Sequence, residues 1–266
     1  MANSNLDPPV KYLLLISAVF IAVSFAALWY WMANKSSFSG NWGRRGSSLI
    51  LFDFDGTICP SYPLFIDQVN FLADEYHLRK IRTEEVEEFR NRTPQQIMKT
   101  LGVSRFKLPF LLRKARRNVQ QQLLELKPVP GIIEVLQELK RRHYSLGILT
   151  SNSQENVLLY LQKYKIDFFD FVYTGNNVFG KAKHLKTILK KMHLKNRAIY
   201  VGDEMRDMEA AQKSHFTSIG VTWGYNSLAL LQESHPDFIS ETPSQLLLLI
   251  TEQSREISRG KMPERK

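Results

Sequence analysis

The chain has 266 residues, 44% hydrophobic and 23% charged, with a formal charge of +10. This length and composition can bury a sizeable core and exclude wholesale disorder, and the single cysteine, Cys59, excludes an internal disulfide. The positive excess points to anionic partners (phosphorylated substrates, acidic lipid heads or nucleic acid) without choosing among them.

Residues 1–11 read as an N-terminal tail. Tyr12–Met32, YLLLISAVFIAVSFAALWYWM, is free of charge over a length that spans a bilayer as a helix, and it ends in Trp29, Tyr30 and Trp31, side chains suited to a membrane interface. Only Lys11 precedes the run and no small-x-small site follows it directly, which favours an uncleaved transmembrane helix over a signal peptide. Lys35, Arg44 and Arg45 follow the span, so the positive-inside rule predicts a single-pass membrane protein whose C-terminal domain faces the cytoplasm.

Residues 33–47, rich in Ser, Gly and Asn, read as a linker. Leu49–Phe54 is the first predicted strand, and its continuous apolar run suits burial on both faces of a parallel sheet. Residues 60–127 hold no convincing strand. Helices are predicted over 64–78, 83–91, 94–101 and 104–126, a helical insert after the first strand. Its last part carries seven Lys or Arg between Gly102 and Lys127 against one acid, Glu125. The run Arg113-Lys114-Ala115-Arg116-Arg117 reads as the wet face of a helix rather than a contact for nucleic acid or acidic lipid, and a cap lid facing a phosphorylated substrate is the functional alternative.

Beyond Gly131 the pattern alternates. Strands are predicted over 145–150, 169–173, 198–201, 217–222 and 238–239. Helices are predicted from Ile132 and over 154–164, 183–192, 208–213 and 243–251, and residues 252–266 read as a charged, frayed tail. The alternation implies an α/β fold with a doubly wound parallel sheet between two helical layers, whose ligands sit beyond the carboxyl ends of the strands.

Those ends hold the chemistry. The first strand runs into Asp53-Phe54-Asp55-Gly56-Thr57, the second into Thr150-Ser151-Asn152, and the fourth into Gly202-Asp203-Glu204-Met205-Arg206-Asp207; Lys181 and Lys183 stand before a helix. Clustered carboxylates need a cation, and oxygen-only ligands beside a phosphate suit Mg²⁺. A hydroxyl and a lysine complement the remaining phosphate oxygens. One aspartate can accept a phosphoryl group covalently, and a second can serve as general acid and base. Blander readings stand beside these. Thr150, Ser151 or Asn152 can cap a helix, Asp207 can be a first-turn acid, Glu204 can be solvated, and Cys59 reads as a small buried residue.

The segments DFDGT, LTS, the lysine before a helix and GDEMRD, in that order, resemble the haloacid dehalogenase-like (HAD) hydrolase superfamily. IGVTWGYNS followed by PDF resembles its phosphoglycolate phosphatase-like branch. The resemblance covers about residues 48–250. It implies a HAD-like Rossmannoid core, residues 48–59 and 128–251, with an α-helical cap over 60–127. It further implies Asp53 as nucleophile and Asp55 as general acid/base. Mg²⁺ would be held by Asp53, the Asp55 carbonyl and Asp203, with Asp207 ligating or orienting. Thr150, Ser151 and Asn152 fall on the phosphate-binding segment, and Lys181 would neutralise nucleophile and phosphate, with Lys183 as the alternative. DGTICPSY departs from the branch pattern of DGT-hydrophobic-x-Asp-Ser at Cys59-Pro60, next to the entry into the cap. The implied activity is Mg²⁺-dependent hydrolysis of a small phosphorylated metabolite, a phosphoglycolate-like monoester. A sugar phosphomutase of the same fold and a membrane-tethered binding protein with little turnover are the alternatives. Substrate identity and oligomeric state are left open.

Overall fold

Leu49–Phe52 forms strand β1, and all of its side chains are shut off from solvent. Because side chains alternate across a strand, Ile50 and Phe52 enter one apolar core and Leu49 and Leu51 the other. That double burial is the reason for the unbroken apolar run. The computed structural model describes residues 48–104, 106, 108–175, 180–192 and 198–258.

Five more strands follow among the described residues: β2 (Ser145–Thr150), β3 (Phe171–Thr174), β4 (Ala198–Gly202), β5 (Thr217–Val221) and β6 (Phe238–Ser240). They form one parallel sheet in the order β3-β2-β1-β4-β5-β6. Leu49 pairs with Ser145 on one side and with Ala198 on the other. The order therefore reverses at β1, and in a doubly wound sheet the crevice for a ligand opens at that point.

Helix α5 (Ile132–Arg141), α6 (Gln154–Lys163) and α10 (Pro243–Ser258) pack on the Ile50 face through Leu136, Leu139, Val157, Tyr160, Leu246 and Ile250. Helix α7 (Lys181–Lys191) and α8 (Met205–Lys213) cover the Leu49 face with Leu185, Ile188, Ala210 and Ala211. Among the described residues, the elements between β1 and α5 are all helical: α1 (Tyr62–Tyr76), a 3₁₀ turn (Thr83–Glu85), α2 (Val86–Phe89), α3 (Pro94–Leu101) and α4 (Leu108–Glu125). Ile66, Ile81, Phe89 and Leu101 give them a small core separate from the sheet's. Helix α3 opens on a Thr93–Gln96 capping box and closes on Gly102 at φ 72°.

Several bounds differ from expectation for local reasons. The first strand stops at Phe52, because the chain turns after Asp53 through Gly56 at φ 77°. Helix α8 begins at Met205, before the predicted start, where Asp207 and Glu204 close a capping box. A short helix α9 (Leu228–Glu233), capped by the Ser227 hydroxyl, was not anticipated. Helix α10 runs on to Ser258 with Ser254 and Ile257 buried, so the first part of the predicted frayed tail is helical. No helix among the described residues is long and apolar enough to cross a membrane. The predicted span at 12–32 lies outside the described residues.

Candidate active site

Asp53 leaves β1 still tied to the sheet, its backbone N–H donating to the Val201 carbonyl at 2.8 Å. Its side chain is 5% exposed. Oδ1 accepts from the Phe54 N–H at 2.8 Å, and Oδ2 accepts from Lys181 Nζ at 2.7 Å. Lys181 is the first residue of α7 and is buried, and its ammonium also reaches Asp207 Oδ1 at 2.5 Å. Lys183, two residues further round the helix, is exposed. The earlier start of α7 thus selects between the two candidate lysines.

Asp203 follows β4 and has no exposed surface. Thr57 Oγ1 donates to its Oδ1 at 2.8 Å, and the Tyr225 backbone N–H donates to Oδ2 at 2.7 Å. Asp207, equally buried, accepts from the Glu204 N–H through Oδ2 at 3.2 Å. Asp53, Asp203 and Asp207 each offer an oxygen within 4.8 Å of the others. Close backbone approach makes this possible: a Cβ on Gly56 would sit 2.0 Å from Asp203 Oδ2, and one on Gly224 would sit 2.3 Å from it.

The electrostatics follow from this crowding. Burial, then the attraction of Lys181, then the repulsion of Asp207 leave the Asp53 carboxyl at about 7 against an ordinary 3.8. Burial and the charge of Asp53 hold Asp203 well above the usual carboxylate range. Burial acts to lower the Lys181 pKa, but Asp207 and Asp53 outweigh it and hold the ammonium well above its ordinary value. Among the described residues, three buried carboxylates face a single ammonium, and Arg206, the neighbouring cation, is paired with Glu204. The donor set is all oxygen and short of positive charge, which fits a hard divalent cation such as Mg²⁺.

Asp55 stands apart from this cluster. It is half-buried, and its Oδ1 accepts from Ser61 Oγ at 2.9 Å. Asn152 Nδ2 lies 3.0 Å from its Oδ2 and 3.3 Å from Oδ1. Burial raises its pKa, with the Ser61 and Asn152 hydrogen bonds working against that shift. Thr150 ends β2 at 2% exposure, and its Oγ1 accepts from the Asn152 N–H at 3.0 Å. Ser151 is half-buried beside it.

The predicted site residues therefore gather at the strand ends. The sequence reading did not single out Ser61, Arg90, Tyr225 or Asn226. Arg90 Nη2 donates to the Thr222 carbonyl at 2.6 Å and the Asn226 carbonyl at 3.4 Å, and the Ser227 N–H donates to the Arg90 carbonyl at 3.0 Å. The Asn226 side chain accepts from the Met205 N–H at 2.8 Å at the start of α8. Cys59 is fully buried, and its thiol is pushed far up by burial, so it stays a protonated packing residue. Among the basic run of α4, Lys114 pairs with Glu75.

Residues 50–221 match the family model described as haloacid dehalogenase-like hydrolase. A phosphoglycolate phosphatase from Synechococcus elongatus is 32% identical over 209 residues, 78% of this chain and 99% of that protein. Pyrophosphatase PpaX from Bacillus anthracis is 27% identical over 77% of this chain and 97% of its own length. A predicted phosphatase from Clostridium acetobutylicum superposes with a TM-score of 0.68 at 22% identity, covering 77% of this chain and 99% of that one. A haloacid dehalogenase-like hydrolase from Streptococcus pneumoniae superposes at 0.64 and 23% identity over 77% and 98%. At those identities the two structures speak for the fold.

Proposed function

Because the chain belongs to the haloacid dehalogenase-like hydrolase family, we propose that it is a phosphatase that hydrolyses a small phosphomonoester through a phosphorylated Asp53. The observation that carries this reading is the separation of two carboxyls only two residues apart. Asp53 is tied to Lys181 inside the buried cluster, while Asp55 is held by Ser61 and Asn152 outside it. Carboxyls in such different surroundings can take different roles.

Asp53, Asp203, Asp207 and the Asp55 carbonyl would hold Mg²⁺, which when bound would offset the charge of the carboxylates and of the phosphoryl oxygens. Asp53 attacks phosphorus through a carboxylate oxygen, forming an acyl phosphate as the bond to the leaving oxygen breaks. Asp55 delivers its proton to that oxygen, then takes one from the water that cleaves the acyl phosphate. Lys181 keeps Asp53 oriented and balances charge on the transferring group. Thr150, Ser151 and Asn152 supply hydroxyl and amide groups for the phosphoryl oxygens. The helices between β1 and α5 would serve as a cap that excludes water and reads the leaving group.

A phosphoglycolate-like substrate is favoured by the relative that this chain matches over nearly that protein's whole length. Phosphate release by the full chain with Mg²⁺, measured across small phosphomonoesters and inorganic pyrophosphate, tests this. A preference for a short carboxylated monoester supports the reading, and turnover of pyrophosphate alone would replace it with a phosphoanhydride substrate.

The reading of residues 12–32 as a single membrane span, with the following domain in the cytoplasm, rests on the charge-free run and its flanking basic residues. Retention of the full chain in carbonate-washed membranes supports it, and release would remove it.

A further inference from the structure

Tyr225 lies in the loop after β5 and joins the two parts of the site. Its backbone N–H donates to Asp203 Oδ2 at 2.7 Å. Its ring meets Tyr62 edge-on at 5.2 Å and Phe65 at 5.6 Å, both on α1. Its hydroxyl lies 3.2 Å from Ser61 Oγ and 3.4 Å from the Ser61 carbonyl oxygen. Ser61 donates in turn to Asp55 Oδ1 at 2.9 Å.

The direction of this chain is fixed by proton count. A serine hydroxyl carries one proton, and here Asp55 receives it. The contact between Ser61 Oγ and Tyr225 then runs with the phenol donating, its one proton shared with the Ser61 carbonyl oxygen at 3.4 Å. Donors are ordered from Tyr225 through Ser61 to Asp55, and each bond polarises the next. Both carboxyl oxygens are held, Oδ1 by Ser61 and Asn152 and Oδ2 by Asn152, so the plane of the Asp55 carboxyl is fixed.

On the reading of Asp55 as proton donor, we propose that Tyr225 is a positioning residue: its hydroxyl fixes Ser61, and through it the direction in which the Asp55 carboxyl presents its proton. In that step Asp53 forms its bond to phosphorus while the bond to the leaving oxygen breaks. The electron pair goes to that oxygen, and the proton passes to it from the Asp55 carboxyl. Phenylalanine at position 225 would keep the ring packing and the N–H to Asp203 and remove only the hydroxyl.

The test compares two esters of similar shape, phenyl phosphate and p-nitrophenyl phosphate, using the full chain with Mg²⁺. The p-nitrophenolate leaves as a stabilised anion and needs little proton donation, whereas phenolate needs more. The ratio kcat/KM is read because it reports steps up to loss of the leaving group. Tyr225→Phe and Ser61→Ala should each lower kcat/KM for phenyl phosphate about tenfold and leave p-nitrophenyl phosphate within about twofold. The double variant should be no worse than Ser61→Ala, since both break one relay, and Ser61→Thr should retain activity. Asp55→Asn is the reference. If it shows the leaving-group bias while Tyr225→Phe loses equally on both esters, or on neither, the positioning role is overturned and the proton-donor reading stands. If Asp55→Asn shows no bias, that reading fails and the role of Tyr225 falls with it.

Discussion

Lys181 Nζ bridges Asp53 Oδ2 at 2.7 Å and Asp207 Oδ1 at 2.5 Å, and none of the three side chains is more than 6% exposed. A buried cation held this way is costly to remove, because its partners are left charged and unpaired. Lys181→Met should therefore destabilise the fold by about 3–5 kcal/mol in urea denaturation. Turnover should fall by at least about a hundredfold. Added Mg²⁺ should recover part of the stability, because it supplies charge to the same carboxylates. An unfolding midpoint unchanged by the substitution would contradict the bridge.

The same crowding sets a pH dependence. Asp53 has a folded pKa of about 7 against an ordinary 3.8, through burial first and then Asp207, with Lys181 opposing. A carboxyl whose folded pKa is raised holds its proton more firmly in the folded state. Its contribution to stability is complete below about pH 4 and is lost as pH rises through about 7. Thermal unfolding in chelator should accordingly show the wild type losing stability across that window relative to Asp53→Asn. Mg²⁺ should shrink the difference, since it favours the ionised form. Parallel curves for the two proteins in chelator would remove Asp53 as the source.

Two glycines separate backbone strain from crowding at the site. Gly56 and Gly102 have φ of 77° and 72°, so alanine is strained at either. A Cβ on Gly102 meets nothing within 4 Å, whereas one on Gly56 would meet Asp203 Oδ2 at 2.0 Å. Gly102→Ala should cost about 1 kcal/mol and keep full activity. Gly56→Ala should also displace Asp203 and lose Mg²⁺-dependent phosphate release. Equal activity in the two variants, measured with equal folded fractions, would contradict the placement of Asp203 in the site.

Arg90, in the helical segment after β1, holds the loop that carries Tyr225. It does so through the carbonyls of Thr222 and Asn226, and its guanidinium lies 5.9 Å from the Tyr62 ring. Arg90→Ala should loosen this contact, raising KM more than it lowers kcat, with a stability loss of about 1–2 kcal/mol. Steady-state kinetics on a small phosphomonoester separate the two. An unchanged KM would show that the contact is not used in closing the site.

What the sequence made legible was the part written in local order. Leu49–Phe52 is apolar without a break because both faces are buried, and Asp53, Thr150 and Asp203 stand at the ends of strands that a parallel sheet brings to one edge. The choice between Lys181 and Lys183 was not legible, because both follow Gly180 closely and only the start of α7 decides which side chain turns inward. Ser61 and Tyr225 stayed hidden for a different reason. Each sits in a loop without periodicity, and each depends on a partner far along the chain. Arg90 looked like one more charge in a helical stretch of mixed charge, yet it binds backbone carbonyls far along the sequence.

The central claim is that phosphorus is transferred to Asp53. Acid quenching during turnover of p-nitrophenyl phosphate, followed by borohydride reduction and peptide mass analysis, reads this directly, since an acyl phosphate is reduced to the alcohol while a free carboxylate is not. The account predicts homoserine at position 53 in the wild type, and neither homoserine nor phosphate release in Asp53→Asn. Unmodified Asp53 during steady phosphate release, or an Asp53→Asn variant that keeps most of its activity, would contradict it.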